Sequence, residues 1–448
     1  MAVPKTLGIE TEFGILHRGT AEPNPVQASS LLINAYLSRR SAPGEGPGAP
    51  RVGWDFIDES PAADIRGFSA FDAIAPEIET HLVNAVLTNG ARYYVDHAHP
   101  ELSTPECLDP LEVVRFDRAA ELILVESMAA ANEVLPEGQE LVVYKNNSDG
   151  KGNSYGCHEN YLVDRATPFG RIVTHATTHF VTRQVFTGAG KVGCEQPGRS
   201  RSDIEFQLTQ RADFFEEEVG LETTLKRPII NTRDEPHADP LRYRRLHVIV
   251  GDANLCEVAT FLKVGTTAIV LAMVEDDFLP REVRFADPVL ALQQVSRDVD
   301  LRQPLELDDG STVTALDVQW DLLEQGRKYL EQRGNDGLGG AVADQVLDRS
   351  LFARLGAERL VEQGDAEHAM TNPPDGTRAY FRGRCLERWP DRIVAANWDS
   401  MVFDAGEEAL RRVPMMEPTR GSRAHVATLI DESEDVAELL ERLSGRSD

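Results

Sequence analysis

The sequence repeatedly places polar side chains two residues apart, the spacing that brings side chains to one face of a β-strand. In LGIETEFGI, residues 7–15, Glu10 and Glu12 alternate with apolar neighbours. A solvated outer face would explain this pair without any chemistry, because the chain is acidic throughout. The same spacing recurs in later segments, and this recurrence is what most constrains the fold.

Three later segments repeat the pattern of polar residues on one strand face. The residues that share a face are Arg92, Tyr94 and Asp96 in ARYYVDHAHPELSTPE, His158 and Asn160 in SYGCHENYLV, and Arg245 and His247 in RRLHVIV. Glu101 and Thr104 are expected just beyond the end of the strand that carries Asp96. A single histidine on a strand is usually a satisfied core residue. Several strands that each project carboxylate, imidazole, phenol or guanidinium groups predict instead one concave sheet surface with a chemical role.

The types of residue on this face indicate a site for metal and nucleotide. Carboxylate oxygens with some imidazole suit Mg²⁺ or Mn²⁺ better than structural zinc. Arginine side chains among the carboxylates are typical of sites that bind phosphate oxygens. The spacing and the residue types together predict a metal–nucleotide site on a sheet face.

Two other motifs have plainer explanations than catalysis. Gly188–Gly193 matches the GxGxxG pattern, but a polar stretch with a proline follows where a dinucleotide-binding helix would begin. A P-loop would need Ser or Thr at the position of Val192. Cys157 and His158 are adjacent, and neighbours on a strand point to opposite faces, so they cannot pair as a catalytic dyad. We interpret the first motif as a glycine turn and Cys157 as a buried structural cysteine.

Helical and strand patterns mix along the chain without regular βαβ alternation, which predicts an α+β fold rather than a doubly wound sheet. The predicted helices are Leu111–Leu135, Thr260–Val274 and Ala315–Gln332, and the predicted strands beyond the first are Ala91–Val95, Leu141–Tyr144, Ser154–Val163 and Leu246–Val250. The glycine-rich segment Gly334–Asp344 is interpreted as a linker. Residues 41–65, rich in Gly and Pro, are interpreted as a long loop with no packed element of its own.

Charge and cysteine content limit the partners and the compartment. The 448 residues include 74 acidic and 46 basic side chains, a formal net charge of −28. Such a field repels phosphates at long range, so we expect no nucleic-acid or membrane partner. The five cysteines include no CxxC pair, which is typical of reduced thiols. The first residues lack the regions of a signal peptide, and the most apolar window, Val264–Val274, is too short to span a bilayer. We therefore expect a cytoplasmic protein.

Long motifs at these same residues resemble the enzymes that act on Pup, the prokaryotic ubiquitin-like protein. The motifs are GIETEFG, YVDHAHPELSTPE, YKNNSDGKGNSYGCHENYLV, RPIINTRDEPHADPLRYRRLHVIVGDAN and TNPPDGTRAYFRGRC. The family comprises the Pup ligase and Dop, a Pup deamidase and depupylase, and it is similar in fold to glutamine synthetase and the glutamate–cysteine ligases. The resemblance implies a glutamine-synthetase-like catalytic domain at residues 1–370, with a curved, mostly antiparallel sheet backed by helices. It also implies a small C-terminal domain at residues 371–448. The Gly and Pro content, followed by the mixed aromatic and acidic segment WDFIDESP, predicts a mobile loop near the active site at about residues 38–80.

The resemblance implies roles for individual residues as well. The metal-site residues are Glu10, Glu12, Tyr94, Glu101, His158 and His247, those that contact ATP are Arg92, Thr104, Arg233 and Trp398, and the catalytic residue is Asp96. The implied cofactors are ATP and Mg²⁺. Whether Asp96 acts as a nucleophile or as a base stays open at this point.

Within the family, the chain resembles Dop more than the ligase. The long connection between Glu12 and Asp96 contains WDFIDESPAADIRGF, which resembles an insertion that Dop carries and the ligase lacks. Two features depart from Dop. GIETEFG is the ligase-like form of the first motif, and the stretch between Arg333 and Phe352 is shorter than the resemblance leads us to expect.

The activity implied by the resemblance is depupylation that depends on ATP and Mg²⁺. The reaction is hydrolysis of the isopeptide bond between the C-terminal glutamate of Pup and a substrate lysine, and deamidation of a C-terminal glutamine is open to the same site. The expected partners are Pup and pupylated proteins, and the expected state is a monomer. Because Pup is acidic, binding needs a local cationic groove, for which the candidates are Arg233, Arg242, Arg244 and Arg245. Two alternatives stay open: a Pup–protein ligase, and a non-catalytic relative that binds Pup.

Overall fold

The computed structural model describes residues 1–40, 63–67, 83–200, 203–204, 206–223 and 226–348. Trp398, the expected C-terminal domain at residues 371–448 and most of the expected loop at residues 38–80 lie outside these residues. The loop was expected to begin at residue 38, but the first helix continues to Arg40.

A six-stranded antiparallel sheet carries the polar residues that the sequence analysis singled out. Its strands are β1 (Leu7–Glu12), β3 (Asn84–Val86), β4 (Arg92–Asp96), β5 (His99–Ser103), β7 (Cys157–Asp164) and β12 (Tyr243–Val248), in the spatial order β12-β7-β1-β5-β4-β3. Every neighbouring pair in this order is antiparallel. The expected α+β fold, with an antiparallel sheet backed by helices, is confirmed.

The remaining strands form two-stranded sheets. The pairs are β2 (Gly14–Arg18) with β6 (Glu140–Tyr144), β8 (Lys191–Val192) with β9 (Phe206–Gln207), β10 (Phe215–Gly220) with β11 (Arg227–Asn231), and β13 (Leu305–Glu306) with β14 (Thr312–Val313). Only the pair of β10 and β11 is parallel among these described pairs. Among the described residues, no α-helix begins directly after Gly188–Gly193, where a dinucleotide-binding motif would require one: β8 lies within the segment, and Gly190 and Gly193 have positive φ values of 80° and 78°.

Six longer helices pack around the sheet. They are α1 (Pro25–Arg40), α2 (Pro110–Asn132), α3 (Phe169–Thr187), α4 (Glu257–Glu275), α5 (Pro288–Arg297) and α6 (Ala315–Arg333). Local sequence explains where some of them begin. The side chain of Asp109 accepts hydrogen bonds from the first free N–H groups of α2, and Thr314 forms a capping box with Asp317 at the start of α6.

The core lies on the side of the sheet opposite to the polar face. Alternate residues of β1, β7 and β12 pack with α3 and α4, and alternate residues of β4 and β5 pack with α1 and α2. The helix α4 is long and apolar enough to cross a membrane, but all of it is buried within the described fold. It is therefore the central helix of the core, and it is longer than the apolar window Val264–Val274 suggested.

The interpretation of Gly334–Asp344 as a linker is wrong. A 3-10 turn covers Asp336–Leu338, and a further helical stretch occupies residues 341–348. The side chain of Leu338 is buried in the main core, and the backbone N–H of Lys5 donates to the carbonyl of Gly337. This segment is packed because its few apolar residues are inserted into the core while its glycines allow the turns.

Candidate active site on the polar face of the sheet

The antiparallel register aligns the polar side chains of neighbouring strands in rows across the sheet. One row consists of Asn84, Tyr94, Glu101 and Glu12, and a second row consists of Arg92, Ser103, Glu10 and His158. Asn160 and His247 form a further pair beside the second row. The side chains that the sequence assigned to one face do share a face, and strand pairing brings them together from the four strands β1, β4, β7 and β12.

Glu10 lies at the centre of the first of two clusters. Ligand atoms of Glu10, His158 and His247 all lie within 4.8 Å of one another. Asn160 donates to Glu10 at 2.6 Å, and the guanidinium group of Arg245 lies 3.6 Å from the same carboxylate. Burial by itself would raise the pKa of Glu10, but the hydrogen bond with His158 and the charges of His247 and Arg245 hold it well below its ordinary value. Glu10 is thus an ionised carboxylate beside the guanidinium group of Arg245.

The second cluster consists of carboxylates. Ligand atoms of Glu12, Asp96 and Glu101 also lie within 4.8 Å of one another. Glu101 is 2% exposed, and its main described partner is the hydroxyl group of Tyr94, which donates at 2.7 Å. Burial first, and then the charges of Asp96 and Glu12, raise the pKa of Glu101 well above its ordinary value. The three carboxylates of this cluster repel one another, and the described residues around them do not supply enough positive charge to balance them.

The geometry around the second cluster fits a divalent cation. Three carboxylates that converge around a small space are the hard oxygen ligands that Mg²⁺ prefers. Glu12 and His158 can lie close to the backbone of residue 156 because it is glycine: a Cβ atom there would lie 2.6 Å from Glu12 Oε1 and 2.7 Å from His158 Nε2. A hydrogen bond from His99 holds the pKa of Glu12 at about 2 against the effect of its burial. Glu12 is therefore ionised and available as a ligand.

Tyr94 lies between the two clusters with a protonated hydroxyl group. Its side chain is buried, and burial followed by the charges of Glu101 and Glu10 raises its pKa well above the ordinary value. The hydroxyl oxygen lies 3.2 Å from Ser103 as well as 2.7 Å from Glu101. Tyr94 can therefore contribute a neutral hydroxyl oxygen to a cation, and it orients Glu101 in any case.

Arginine side chains border the first cluster on one side. Burial lowers the pKa values of both Arg245 and His247, and the nearby charge of Arg233 lowers them further, so Arg233 lies close to both groups and His247 is a neutral imidazole. The Nε atom of Arg233 is buried and has no hydrogen-bond partner within the described part of the chain. Arg245 is tied to the backbone carbonyl of Glu235 and to Asn160, each at 2.9 Å. Partly buried guanidinium groups, one of them with a buried unused donor, fit the oxygens of a phosphate group.

A short described part of the expected loop reaches this arginine. Asp64 forms a β-bridge with Arg233, and the carboxylate of Asp64 accepts hydrogen bonds from Thr232 at 2.6 Å and from Arg66. Asp64 is 5% exposed. The interpretation of residues 41–65 as having no packed element is therefore wrong at its end, where the chain is anchored beside the candidate phosphate-binding side.

Other predicted residues are placed less directly. Thr104 accepts a hydrogen bond from the backbone N–H of Ile9 at 3.1 Å, which gives it a structural role that the sequence analysis did not foresee. Arg92 lies with its guanidinium carbon 5.4 Å from the ring centre of Tyr94.

Arg244 is buried and donates to the carbonyl of Thr167, so its expected place in a cationic groove with Arg245 is wrong. Alternation along β12 explains the difference, because these two neighbours point to opposite faces.

Cys157 has the buried position that the sequence predicted. Its sulfur lies 3.4 Å from the Nζ atom of Lys263 and 3.9 Å from the hydroxyl group of Thr11. Both of these residues lie on the helical side of the sheet, whereas His158 faces the polar side. The two neighbours therefore do not form a dyad.

The sequence did not indicate three residues that lie on the polar face, His99, Ser103 and Asn84. Glu101 does not follow the end of a strand but lies within β5, where His99 and Ser103 share its face. His99 Nδ1 is 3.5 Å from Glu12, and its ring lies 4.8 Å from that of Tyr155. Asn84 pairs with Tyr94 from the neighbouring strand. Alternation around Glu101 was the signal that could have found His99 and Ser103.

The chain matches a known family along most of its length. The family model described as Pup-ligase protein matches residues 5–350 and 341–402. This chain belongs to the Pup-ligase protein family. A depupylase from Acidothermus cellulolyticus is 46% identical over 508 residues, and the match covers 98% of this chain and 99% of that protein. A Pup deamidase/depupylase from Mycolicibacterium smegmatis is 41% identical, with the same coverage of both proteins.

In sequence, a Pup ligase matches a smaller part of the chain, whereas the structure of a Pup ligase covers most of it. A Pup–protein ligase from Kineococcus radiotolerans is 46% identical over 412 residues, which covers 78% of this chain and 90% of that protein. The crystal structure of the complex between Pup and its ligase PafA has a TM-score of 0.70 and 28% identity, covering 98% of this chain and 80% of that chain. The structure of PafA in complex with ADP has a TM-score of 0.63 and 31% identity, covering 81% and 76%. These likenesses confirm the expected fold class.

The matches also bear on the short stretch between Arg333 and Phe352. The family model matches in two segments that meet at residues 341–350, inside that stretch. The alignment with the Acidothermus depupylase is longer than the chain itself, so that protein has positions without a counterpart here. The chain is therefore a family member that lacks some of the material found in this relative.

Proposed function

We propose that this protein is a depupylase that requires ATP and Mg²⁺. It hydrolyses the isopeptide bond between the C-terminal glutamate of Pup and a lysine of the conjugated protein, and it acts on a C-terminal glutamine of Pup as a deamidase. The proposal is supported by the sequence relatives that match 98% of the chain at 41–46% identity, which carry the names depupylase and Pup deamidase/depupylase. The partners are then Pup and pupylated proteins, in the cytoplasm, with the enzyme acting as a monomer.

The observation that carries the proposal is the arrangement of Asp96 beside the two clusters. Asp96 belongs to the carboxylate cluster with Glu12 and Glu101, yet its side chain is 36% exposed, whereas Glu101 is buried. A carboxylate at the mouth of a charged site can reach a substrate that enters from solvent. The site therefore combines a closed part suited to cofactors with an open part suited to a peptide.

The residues present fit both cofactors. Mg²⁺ would be held by Glu12 and Glu101, with Glu10, His158 and His247 beside it, and Tyr94 would hold Glu101 in place. The nucleotide phosphates would lie against Arg92 and Arg233, the latter having a buried donor without a described partner. The bound cation supplies electrostatic stabilisation of an amide oxygen that becomes negative during hydrolysis.

Asp96 performs the chemical step in one of two ways. Hydrolysis adds water to the γ-carbonyl carbon of the Pup glutamate and releases the lysine amine. As a nucleophile, Asp96 attacks that carbon and forms an anhydride while the amine leaves with a proton taken from water, and the hydroxide formed then opens the anhydride and restores the Asp96 carboxylate. As a base, it removes a proton from the attacking water, and the proton goes to the departing amine. Both routes end in the same products, and the same carbon is attacked in deamidation.

One assay separates this proposal from the alternatives. Purified protein is incubated with ATP, Mg²⁺ and a purified Pup–protein conjugate, and in parallel with ATP, Mg²⁺, free Pup ending in glutamate and the unconjugated protein. Release of free protein in the first reaction, without conjugate formed in the second, is the expected result. Conjugate formation without release would identify a ligase, and retention of the conjugate without turnover would identify a binding protein.

A further inference from the structure

The turn that follows Asp96 has a residue whose backbone conformation favours glycine. Asp96 pairs with His99 across the antiparallel strands β4 and β5, so His97 and Ala98 form a two-residue hairpin turn. His97 has a φ of 51°, in the left-handed region. Two-residue hairpin turns require this conformation at their first position and favour Gly, Asn or Asp there, because other side chains cost conformational free energy.

Packing does not explain why a histidine occupies this position. The side chain of His97 is 68% exposed, so its ring contributes little buried area. The turn itself is held from elsewhere, since the hydroxyl group of the buried Ser29 on α1 donates to the carbonyl of Ala98 at 2.8 Å. The hairpin would therefore form at least as well with glycine at position 97.

The ring of His97 does have a specific contact, and that contact is with Asp96. The Nδ1 atom of His97 lies 3.0 Å from Oδ2 of Asp96. A carboxylate only accepts hydrogen bonds, so Nδ1 carries the proton and donates it. With the backbone of residue 97 in the left-handed region, the ring lies back against the preceding side chain. A backbone conformation that costs free energy at a reactive carboxylate points to a functional reason for it.

We propose that His97 is a positioning residue for Asp96. By holding Oδ2, the imidazole fixes the rotamer of the carboxylate and leaves the other oxygen free for the reacting atoms near Glu12 and Glu101. Orientation of a reactive group within a fraction of an ångström has a large effect on rate. The inference rests on the proposed depupylase activity, for which Asp96 is the reactive group.

The test uses two substitutions at residue 97 that both tolerate a positive φ. His97→Gly relieves the backbone and removes the donor, whereas His97→Asn tolerates the backbone and keeps an N–H donor on a shorter side chain. The matched control is Asp277→Gly, because Asp277 has a φ of 54° and pairs with Arg171 at the end of α4, away from the polar face. Cleavage of a Pup conjugate is measured with saturating ATP and Mg²⁺, together with Tm and ATP affinity.

We expect His97→Gly to lower kcat by about tenfold. KM and ATP affinity should stay at their wild-type values, and Tm should be equal to or higher than that of the wild type. His97→Asn should recover part of that loss, and Asp277→Gly should leave kcat unchanged. A folded His97→Gly variant with wild-type kcat would overturn the inference while leaving the proposed function intact. Failure of the wild-type protein to cleave the conjugate would overturn both, because Asp96 would then have no reaction to be positioned for.

Discussion

Arg183 donates two hydrogen bonds to Glu159, of 2.8 and 2.6 Å, on the helical side of β7. Both side chains are buried, and Arg183 also donates to the hydroxyl group of Thr267 on α4. Glu159 stands between His158 and Asn160, which point to the opposite face and contact Glu10. The ion pair beneath the sheet therefore fixes the strand that supplies part of the candidate site.

Substitution of Glu159 by glutamine should be strongly destabilising. It leaves the guanidinium group of Arg183 buried without its counter-charge, which typically costs about 3–5 kcal/mol. Urea unfolding measures the free energy of unfolding. The matched control is Glu140→Gln, which breaks the exposed pair between Glu140 and Arg18 and should cost about 1 kcal/mol or less. Equal losses in the two variants would contradict the structural role of the buried pair.

Substitution of Glu101 by glutamine should stabilise the protein when no metal is present. The pKa of Glu101 is raised above its ordinary value of 4.5 by burial and by Asp96 and Glu12. The folded state therefore favours the protonated form of Glu101. Its contribution to the free energy of unfolding is present at low pH and is lost as pH rises through the folded pKa. Glutamine keeps the acceptor for Tyr94 without the charge. In EDTA at neutral pH we expect Tm to rise by about 2 °C or more, with the difference from wild type vanishing toward pH 4.

The same variant should respond differently to cofactors. Wild-type protein should gain stability on addition of ATP and Mg²⁺, because binding is linked to folding. Glu101→Gln should gain much less, since it has lost a ligand for the cation. Calorimetric titration of ATP at several Mg²⁺ concentrations measures the loss directly. An unchanged dependence on Mg²⁺ would remove Glu101 from the metal site.

Gly156 should be required for cofactor binding but not for folding. The Cβ atom of alanine would meet Glu12 Oε1 at 2.6 Å and His158 Nε2 at 2.7 Å, which are the mobile ends of side chains rather than backbone. We expect Gly156→Ala to fold with a Tm close to wild type and to bind ATP at least about tenfold more weakly, the equivalent of about 1.4 kcal/mol.

A glycine in open space provides the control for this substitution. Gly170, in the first turn of α3, has no atom within 4 Å of an added Cβ. Gly170→Ala should leave ATP affinity unchanged and increase stability slightly, because alanine favours helix. Equal ATP affinity in Gly156→Ala and Gly170→Ala would show that the close approach of Glu12 and His158 to residue 156 is not needed for cofactor binding.

Alternation along single strands was enough to predict most of the candidate site. Glu10, Glu12, Tyr94, His158 and His247 share a face as the sequence indicated, because a period of two depends only on local backbone geometry. Their roles as metal ligands stay predictions. Which strands are neighbours depends on long-range pairing that one sequence does not reveal, so the rows across the sheet could not be predicted.

The sequence was misleading where tertiary packing outweighs local preference. The strand β5 was not among the predicted strands, and it contains Pro100, a residue that is rare in central strands, although it lies between β1 and β4 in the sheet. The helix α3 was missed because it is rich in Thr and Val and is buried on all sides after His175, so it has no polar stripe to reveal its period. The segment Gly334–Asp344 was assigned by composition, whereas burial of Leu338 decides its structure.

The most direct test of the account is cleavage of a Pup conjugate by Asp96→Asn. Asparagine keeps the size of the side chain but removes both the nucleophile and the base, so the rate should fall by at least about a hundredfold. ATP affinity and Tm, measured on the same preparation, show whether the variant is folded and binds its cofactor. A folded Asp96→Asn variant that binds ATP and cleaves the conjugate at near wild-type rate would contradict the account.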